Sequence, residues 1–426
     1  MATEDVVPHV QAKFFTRQEQ YSIPDNPYSI PASITAKELN NIIYSVLNEG
    51  KTANSFIEFD FLIHGEFLRT LLETHLEEKN VSSEAVIEIE YVERQAAPRP
   101  ETSLAHDDWV SCVRGSNSLI LCGCYDNTLK LWSRDGKCLT TISGHLAPVK
   151  CIEWIPSNGG STADRMFISG SQDQTLLVWC WKESQKAVDC LYACKGHAGS
   201  VDCAAVNTDG ARIVTGSWDK MVKLWSLVDG LTVEEEEGER TKKKLKSSGK
   251  SVSTRVPLVT LSGHKEAVSS VTWLDGSTIC TSSWDHTLRV WDMTRSEQTQ
   301  IVEGSKAFFS IAYSPLSKLI LSASADKHVR LHDLRTKEMK STYTSHTGLV
   351  SSVDWSKVNE HLFISGSHDM LMKLWDTRSP KAPLYNLIGQ DDKILAVDWS
   401  IPELMLSGGA DNQLKIFNYE LRKKMK

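Results

Sequence analysis

The sequence predicts a mainly β protein: a long repetitive part, with a small non-repeating α+β segment in front. Three observations carry this. A short pattern centred on Asp recurs along residues 101–426. Apolar and polar residues alternate upstream of it. Residues 8–94 show no such repeat and hold one helix-spaced stretch.

The recurring segments are CGCYDNTLKLW (122–132), SGSQDQTLLVW (169–179), TGSWDKMVKLW (215–225), TSSWDHTLRVW (281–291), SASADKHVRLH (322–332), SGSHDMLMKLW (365–375) and SGGADNQLKIF (407–417). Each has a small or thiol residue, an Asp four positions on, and an aromatic or His six beyond that. The seven acids are Asp126, Asp173, Asp219, Asp285, Asp326, Asp369 and Asp411, at gaps of 47, 46, 66, 41, 43 and 42. One gap is too long by about half a repeat and marks an insertion. Gly-His precedes several units, at His145, His197 and His264, with Ser345-His346 and Ala105-His106 as relaxed versions. Runs such as AVSSVTW (267–273) and LVSSVDW (349–355) follow, alternating as strands do.

This pattern resembles the WD repeat, whose unit forms one four-stranded propeller blade, and implies a seven-bladed WD40 β-propeller. The resemblance implies that each Asp accepts backbone N–H bonds in the turn between the second and third strands. It also faces the His, whose other nitrogen meets the second-strand Ser or Thr, with the third-strand Trp on the far side. His145, His197, His264 and His346 are therefore read as structural pegs, not as metal ligands or catalytic bases. Gly304-Ser305 and Gly389-Gln390 replace the His in the fifth and seventh blades, and Leu331-His332 replaces the Trp in the fifth. In the first blade Cys122 takes the Ser or Thr place. These three blades are expected to hold by packing alone and to be softer. The segment near 96–104 is placed to supply the outer strand of the last blade.

In the front segment, HVQAKFFT (9–16) alternates as a strand, and Pro24 to Pro27 make a turn. ITAKELNNIIYSVLNEG (34–50) reads as a helix, with Thr35 and Glu38 as a capping box and Gly50 as the stop. FIEFDFLIHGEFLR (56–69) reads as a hairpin around His64-Gly65, and SSEAVIEIEYVER (82–94) as a closing strand. The order strand–strand–helix–strand–strand is that of a ubiquitin-like β-grasp. The boundaries are then 1–95 for this domain and 96–426 for the propeller, with a disordered charged loop at about 230–256.

Composition narrows the function. Residues 1–100 carry 16 Asp/Glu and 8 Lys/Arg, a net of −8 against −7 for the whole chain. The propeller is thus near neutral, which disfavours a large phosphate-tracking surface. The start has no signal-peptide pattern, so the 10 Cys are expected to be reduced thiols. Cys122-x-Cys124 and Cys190-x3-Cys194 lack a second pair at zinc spacing, and no catalytic triad or phosphate loop stands outside the repeat. No enzyme, cofactor, membrane or small-molecule substrate is expected. A substrate receptor of a ubiquitin ligase, or a signalling scaffold unrelated to ribosomes, is the rival reading of the blades. Lys242, Lys243, Lys244 and Lys246 in the insertion read as a nuclear import cluster or as a solvated charge run. The residues before the seven Asp are expected to point to one face of the ring: Tyr125, Gln172, Trp218, Trp284, Ala325, His368 and Ala410. Of these, Tyr125, Trp218 and Trp284 are the candidate partner contacts, against simple packing on adjacent loops.

A β-grasp carrying FDFLI-GE-LR and VSSEA, fused to seven WD units, resembles the Notchless-like family. The blade count and charged loop are similar to the WD-repeat ribosome biogenesis branch that forms the PeBoW complex. That resemblance implies a scaffold for large (60S) subunit assembly and pre-rRNA maturation, in the nucleolus and nucleoplasm. It implies docking to a Bop-type WD40 protein and a pescadillo-type protein on the pre-60S particle. It also implies removal by the AAA ATPase midasin, which grips the ubiquitin-like domain. The family's acidic residue that completes midasin's divalent-ion site matches Glu84 here, so a metal is expected only in trans.

Overall fold

The computed structural model describes residues 8–48, 57–78, 85–156, 164–227, 246–247, 250–251 and 253–420. The chain folds as two compact units whose boundary falls between Ala97 and Pro98.

The first unit runs β1 (His9–Phe15), β2 (Pro27–Pro31), α1 (Ala36–Leu47), β3 (Phe59–Ile63), β4 (Glu66–Phe67), α2 (Leu72–Glu78) and β5 (Ile87–Glu93). The sheet order is β2-β1-β5-β3-β4, with β1 parallel to β5 in the centre. This is β-grasp topology. Helix α1 starts where the sequence places it: Thr35 N–H donates to Glu38 Oε2 at 2.8 Å, and Glu38 N–H donates back to Thr35 Oγ1 at 3.4 Å. It buries Leu39 and Ile43 against Phe61, Ile63, Ile89 and Tyr91 of the sheet. The buried Asn40 Oδ1 accepts from Phe59 N–H at 2.8 Å and ties helix to strand. The β3–β4 turn places His64 and Gly65 at φ 49° and 79°, the positive values a two-residue hairpin requires. Two details differ from the pattern reading. Helix α1 ends at Leu47, and Gly50 lies outside the described residues. Helix α2 is additional; at seven residues it is too short to show a periodicity.

The second unit is a ring of seven sheets. Blade I comprises Val110–Ser116, Leu119–Cys124, Thr128–Ser133 and Cys138–Ser143, and blades II to VI repeat this order outward from the axis. In blade VII, β6 (Arg99–Ala105) is the outermost strand, antiparallel to Gln413–Asn418. The ring is therefore closed as expected, by a strand from before blade I on a sheet from the chain's other end. Closure pairs Gln413–Asn418 on both sides and gives blade VII the same four-strand order as the others.

Each joint of the ring carries a named bond. Ser111 Oγ donates to Val149 O at 2.5 Å, Ser269 Oγ to Phe308 O at 2.7 Å, and Ser351 Oγ to Ile394 O at 2.7 Å. Cys151 and Cys203 thiols make the same link to Val201 O and Val268 O at 3.7 and 3.8 Å. Trp355 Nε1 donates back to Ala312 O at 3.0 Å. The last joint, blade VII to blade I, is an ion pair: Asp398 accepts from Arg114 Nη1 at 2.9 Å and from Gly115 N–H at 2.8 Å. Arg114 also reaches Glu153 of blade II at 3.0 Å.

The insertion lies between the third strand of blade III (Val222–Ser226) and its fourth (Val259–Leu261), as its spacing predicts. It is not a plain loop throughout, however. Ser253–Arg255 pairs in parallel with Tyr192–Cys194 on the outer edge of blade II. Arg255 lies over the Tyr192 ring at 4.0 Å and donates to Ser226 O at 3.0 Å.

Chains starting at Pro98 and at Asp107 should separate closure from the rest. The first retains β6 and is expected to unfold cooperatively with a high Tm. The second exposes the Gln413–Asn418 edge and is expected to aggregate or melt well below it in a thermal scan.

Candidate functional site

Four blades hold a complete hydrogen-bonded tetrad. In blade II, His145 Nδ1 meets Asp173 Oδ2 at 2.9 Å, His145 Nε2 meets Ser169 Oγ at 2.7 Å, and Trp179 Nε1 donates to the same hydroxyl at 2.8 Å. His197–Asp219–Thr215–Trp225, His264–Asp285–Thr281–Trp291 and His346–Asp369–Ser365–Trp375 repeat it with bonds of 2.7 to 2.9 Å. The rings are buried and every nitrogen is engaged, so these His and Asp act as pegs. The glycine before the His is needed for room: a Cβ at Gly144 would sit 2.6 Å from Trp179, and one at Gly263 would sit 2.9 Å from Trp291.

Each Asp does a second job. Its Oδ1 accepts the N–H two residues on, and its Oδ2 accepts an N–H from the connection that enters the blade. Examples are Thr175 and Leu146 N–H to Asp173, at 2.9 and 3.0 Å, and Met221 and Ala198 N–H to Asp219 at the same distances. Burial alone would raise these carboxyls. The His and backbone donors outweigh it and hold Asp219 down at about 2, with Asp173, Asp285 and Asp369 also well below the usual range.

The other three blades correct the expectation that packing alone holds them. In blade V, Ser305 Oγ donates to Asp326 Oδ2 at 2.7 Å, and Arg330 grips both carboxylate oxygens. His332 stands where the Trp would be, with Nε2 on Ser322 Oγ at 2.8 Å. In blade VII, Gln390 Nε2 donates to Ser407 O and Oγ at 2.9 and 3.1 Å, while Asp411 still accepts from Gln413 and Asp391 N–H. In blade I, Cys122 replaces the hydroxyl, and His106 makes no hydrogen bond to Asp126. Its Nδ1 faces Leu104 O at 3.1 Å and its Nε2 accepts from Trp132 Nε1 at 3.2 Å. Among the described residues, Asp126 keeps only the Thr128 N–H and hydroxyl, the bonds that Asp173 and Asp285 also take from Thr175 and Thr287.

Exposure singles out the face that carries the Asp turns. Trp218 and Trp284 are 49% and 38% exposed, and their rings meet edge to face at 5.0 Å. Phe309 of blade V continues the row at 6.0 Å from Trp284. Trp218 Nε1 donates to Asp202, a carboxyl that burial raises above its ordinary value. Across the mouth, Tyr125 stacks edge to face on Trp109, itself 42% exposed, at 5.3 Å, and its hydroxyl accepts from Lys150 Nζ at 2.7 Å. Gln172 is exposed and Ala325 and His368 half-buried, but Ala410 is buried and reaches no surface. The row of aromatics thus runs over blades III to V. Pattern reading missed Trp109, Phe309, Lys150 and Asp202. The last three share one repeat position, the second residue of the innermost strand, which is Ser in blades I, IV and VI. The departure from Ser was the available signal.

All ten cysteines are free thiols, and most are buried in strands. Among the described residues, no cluster of His, Cys, Asp and Glu could hold a metal ion. No helix among the described residues is long and apolar enough to cross a membrane. Glu84, Lys242, Lys243 and Lys244 lie outside the described residues, and of Lys246 only the backbone is described, in a two-residue strand.

The NLE (NUC135) domain model matches residues 10–76, and the WD domain, G-beta repeat model matches seven times between residues 99 and 418. The chain is 48% identical over 423 residues to the ribosome biogenesis protein WDR12 homolog of Ixodes scapularis, covering 96% of this chain and 99% of that one. It belongs to the WDR12 family. The homologs of Drosophila erecta (46% over 420 residues) and Aedes aegypti (45% over 416) cover 98% and 97% of this chain, and 97% and 96% of theirs. The Notchless-like resemblance read from the residues is thereby shown.

Acid should loosen blades I and V first. Burial lowers both His106 and His332 to about 4, against an unfolded value near 6.5. The unfolded chain therefore binds more protons between these values. Stability is full above about pH 6.5 and is lost as pH falls toward 4. Urea midpoints at pH 7.5, 6 and 5 should fall steadily, and His332→Asn should flatten that fall.

Proposed function

We propose that this chain is a non-catalytic ribosome biogenesis factor, a scaffold for large-subunit assembly and pre-rRNA maturation. What carries the reading is identity of nearly half the residues, over nearly the full length, to proteins named for ribosome biogenesis. The tetrads support it from the other side, because their titratable groups are fully engaged in holding blades. The propeller docks through its aromatic row to a Bop-type WD40 protein that joins a pescadillo-type protein. Exposed, mutually stacked Trp rings lose little freedom on binding and are favoured interface anchors. Changing Trp218 and Trp284 together to Ala should weaken that complex by roughly 30-fold or more. The Tm should fall only modestly, through loss of the ring–ring contact and of the Trp218 bond to Asp202. Unchanged affinity by calorimetry would remove them from the interface.

The front domain is the handle that midasin pulls. Its acid surplus suits a cationic grip, and a hard divalent ion with an open position takes a carboxylate oxygen. Glu84 supplies it, so the chain needs no cofactor of its own. The lysines at 242–246 direct it to the nucleus, and it works in the nucleolus and nucleoplasm. Glu84→Ala should leave circular dichroism and Tm intact and abolish midasin capture from extract. Retention of midasin at the wild-type level would refute the assignment.

A further inference from the structure

Charge is segregated on a propeller that is neutral as a whole. Residues 304–343, blade V, hold seven Lys/Arg and three Asp/Glu, a net of +4. Residues 264–303, blade IV, hold three and six, a net of −3. In blade V, Asp326 is already gripped by Arg330, and the buried Asp333 by Arg335 and Lys340 at 3.0 Å each. Among the described residues, Lys306, Lys318, Lys327 and Lys337 have no ion-pair partner, and all four are exposed. Glu338 is the one further acid in the blade.

The backbone adds a second observation. Lys318, Lys327 and Lys337 sit at φ 57°, 72° and 60°, the left-handed region where Gly or Asn is at ease and other side chains are strained. Blades I and III place Asn117 and Gly210 in their first hairpin turns, and Gly136 fills the third turn of blade I. The residue after the turn Asp has positive φ in every blade, so Lys327 follows the fold. Lys318 and Lys337 hold the first and third turns of blade V, where other blades carry Asn117, Gly210, Gly136, Lys186 or Ser296. Strained residues that offer nothing to packing are candidates for function. Because strands alternate in direction, the turns holding Lys318 and Lys337 share one face, opposite the Asp turns.

We propose that this end of blade V, through Lys318 and Lys337, binds the phosphate backbone of RNA. The two turns are two strands apart, about 10 Å, which spans roughly three phosphates of one strand. The free groups are ammonium point charges on flexible stems, while the one guanidinium fork nearby, on Arg335, is occupied by Asp333. Point charges suit a repeating phosphate track, whereas a carboxylate partner is better met by a free fork. The inference rests on the reading that the chain works on an RNA-containing particle, and it places a local contact on a propeller whose total charge gives no hint of one.

The test is fluorescence anisotropy of a labelled rRNA fragment with the full chain, from 50 to 200 mM salt. Lys318→Gly with Lys337→Gly should weaken binding about tenfold and lower the salt slope by about 1.5. The same change relieves the turns, so the Tm should hold or rise. Lys318→Gln with Lys337→Gln should weaken binding equally. Wild-type affinity and slope in both variants, or no binding by the wild type, would overturn the proposal. So would loss of binding to polyglutamate with RNA affinity kept, which would make the patch an acidic-protein site. Sedimentation tells the two readings apart. A wild-type chain that travels with pre-ribosomal particles, beside variants of unchanged RNA affinity, sinks this inference alone. A wild-type chain that travels free of them sinks the proposed function.

Discussion

The propeller depends on one carboxylate per blade. The turn Asp spends one oxygen on the N–H two residues ahead, which shapes the turn between the second and third strands. In five blades the other takes an N–H from the connection that descends from the blade before, that of Leu146, Ala198, Lys265, Thr347 or Asp391. One side chain thus fixes both where a blade turns and where the chain enters it. An ionised carboxylate in so enclosed a place is stable only when its acceptor capacity is filled. The His of the tetrad fills it in four blades, and that is its whole role there.

The irregular blades show that the requirement is satisfaction rather than histidine. Asp326 has no His, and Ser305 with Arg330 supplies the missing donors. Asp411 has none either, and Gln390 turns its amide to the Ser407 hydroxyl that a ring nitrogen would otherwise meet. Blade I loses the hydroxyl to Cys122, so the remaining pair contracts and Trp132 donates straight to His106. A half-satisfied network is costly. The local substitute is closest in blade V; in blade VII Gln390 Oε1 stays buried without a partner among the described residues. The substitutes are not equal under acid. A ring that must accept a hydrogen bond, as His106 does, works only when neutral.

Most of the architecture was legible because the same constraint recurs. Seven Asp in phase, with His and Trp at fixed offsets, could be read directly, and so could the blade count and the site of the insertion. Closure followed from what the last repeat lacked. In the front domain the capping box and the Gly-containing hairpin carried their own chemistry. The misses also have physical reasons. Arg330 reaches back four residues to Asp326 from the strand that leaves the turn, a spacing with no meaning until the strand is known. Ser253–Arg255 is three residues of polar chain, and its pairing is decided by the free edge of blade II rather than by its own pattern. Ala410 is buried while Ala325, the same residue at the same repeat position, is half-buried, so its neighbours and not its size decide. On the candidate docking face, Trp218 and Trp284 could be named from the repeat. Phe309 was missed because an aromatic in an inner strand reads as core; its only mark was standing where other blades carry Ser.

The joints explain why so much variation is tolerated at the turns. Ser111, Cys151, Cys203, Ser269, Trp355, Ser351 and Asp398 each bond a neighbouring blade close to the axis. Cohesion therefore sits inside the ring, and the hairpin ends can change without loosening it. What those ends carry is then free to answer to partners. Aromatic rings cluster where three blades present their Asp turns side by side, and lysines accept strained backbone at the ends of a fourth-to-fifth blade charge step. At Lys318 and Lys337 the left-handed backbone belongs to the turn, as it does at Asn117 and Ser296, and the exposed lysine side chains are left open to a partner.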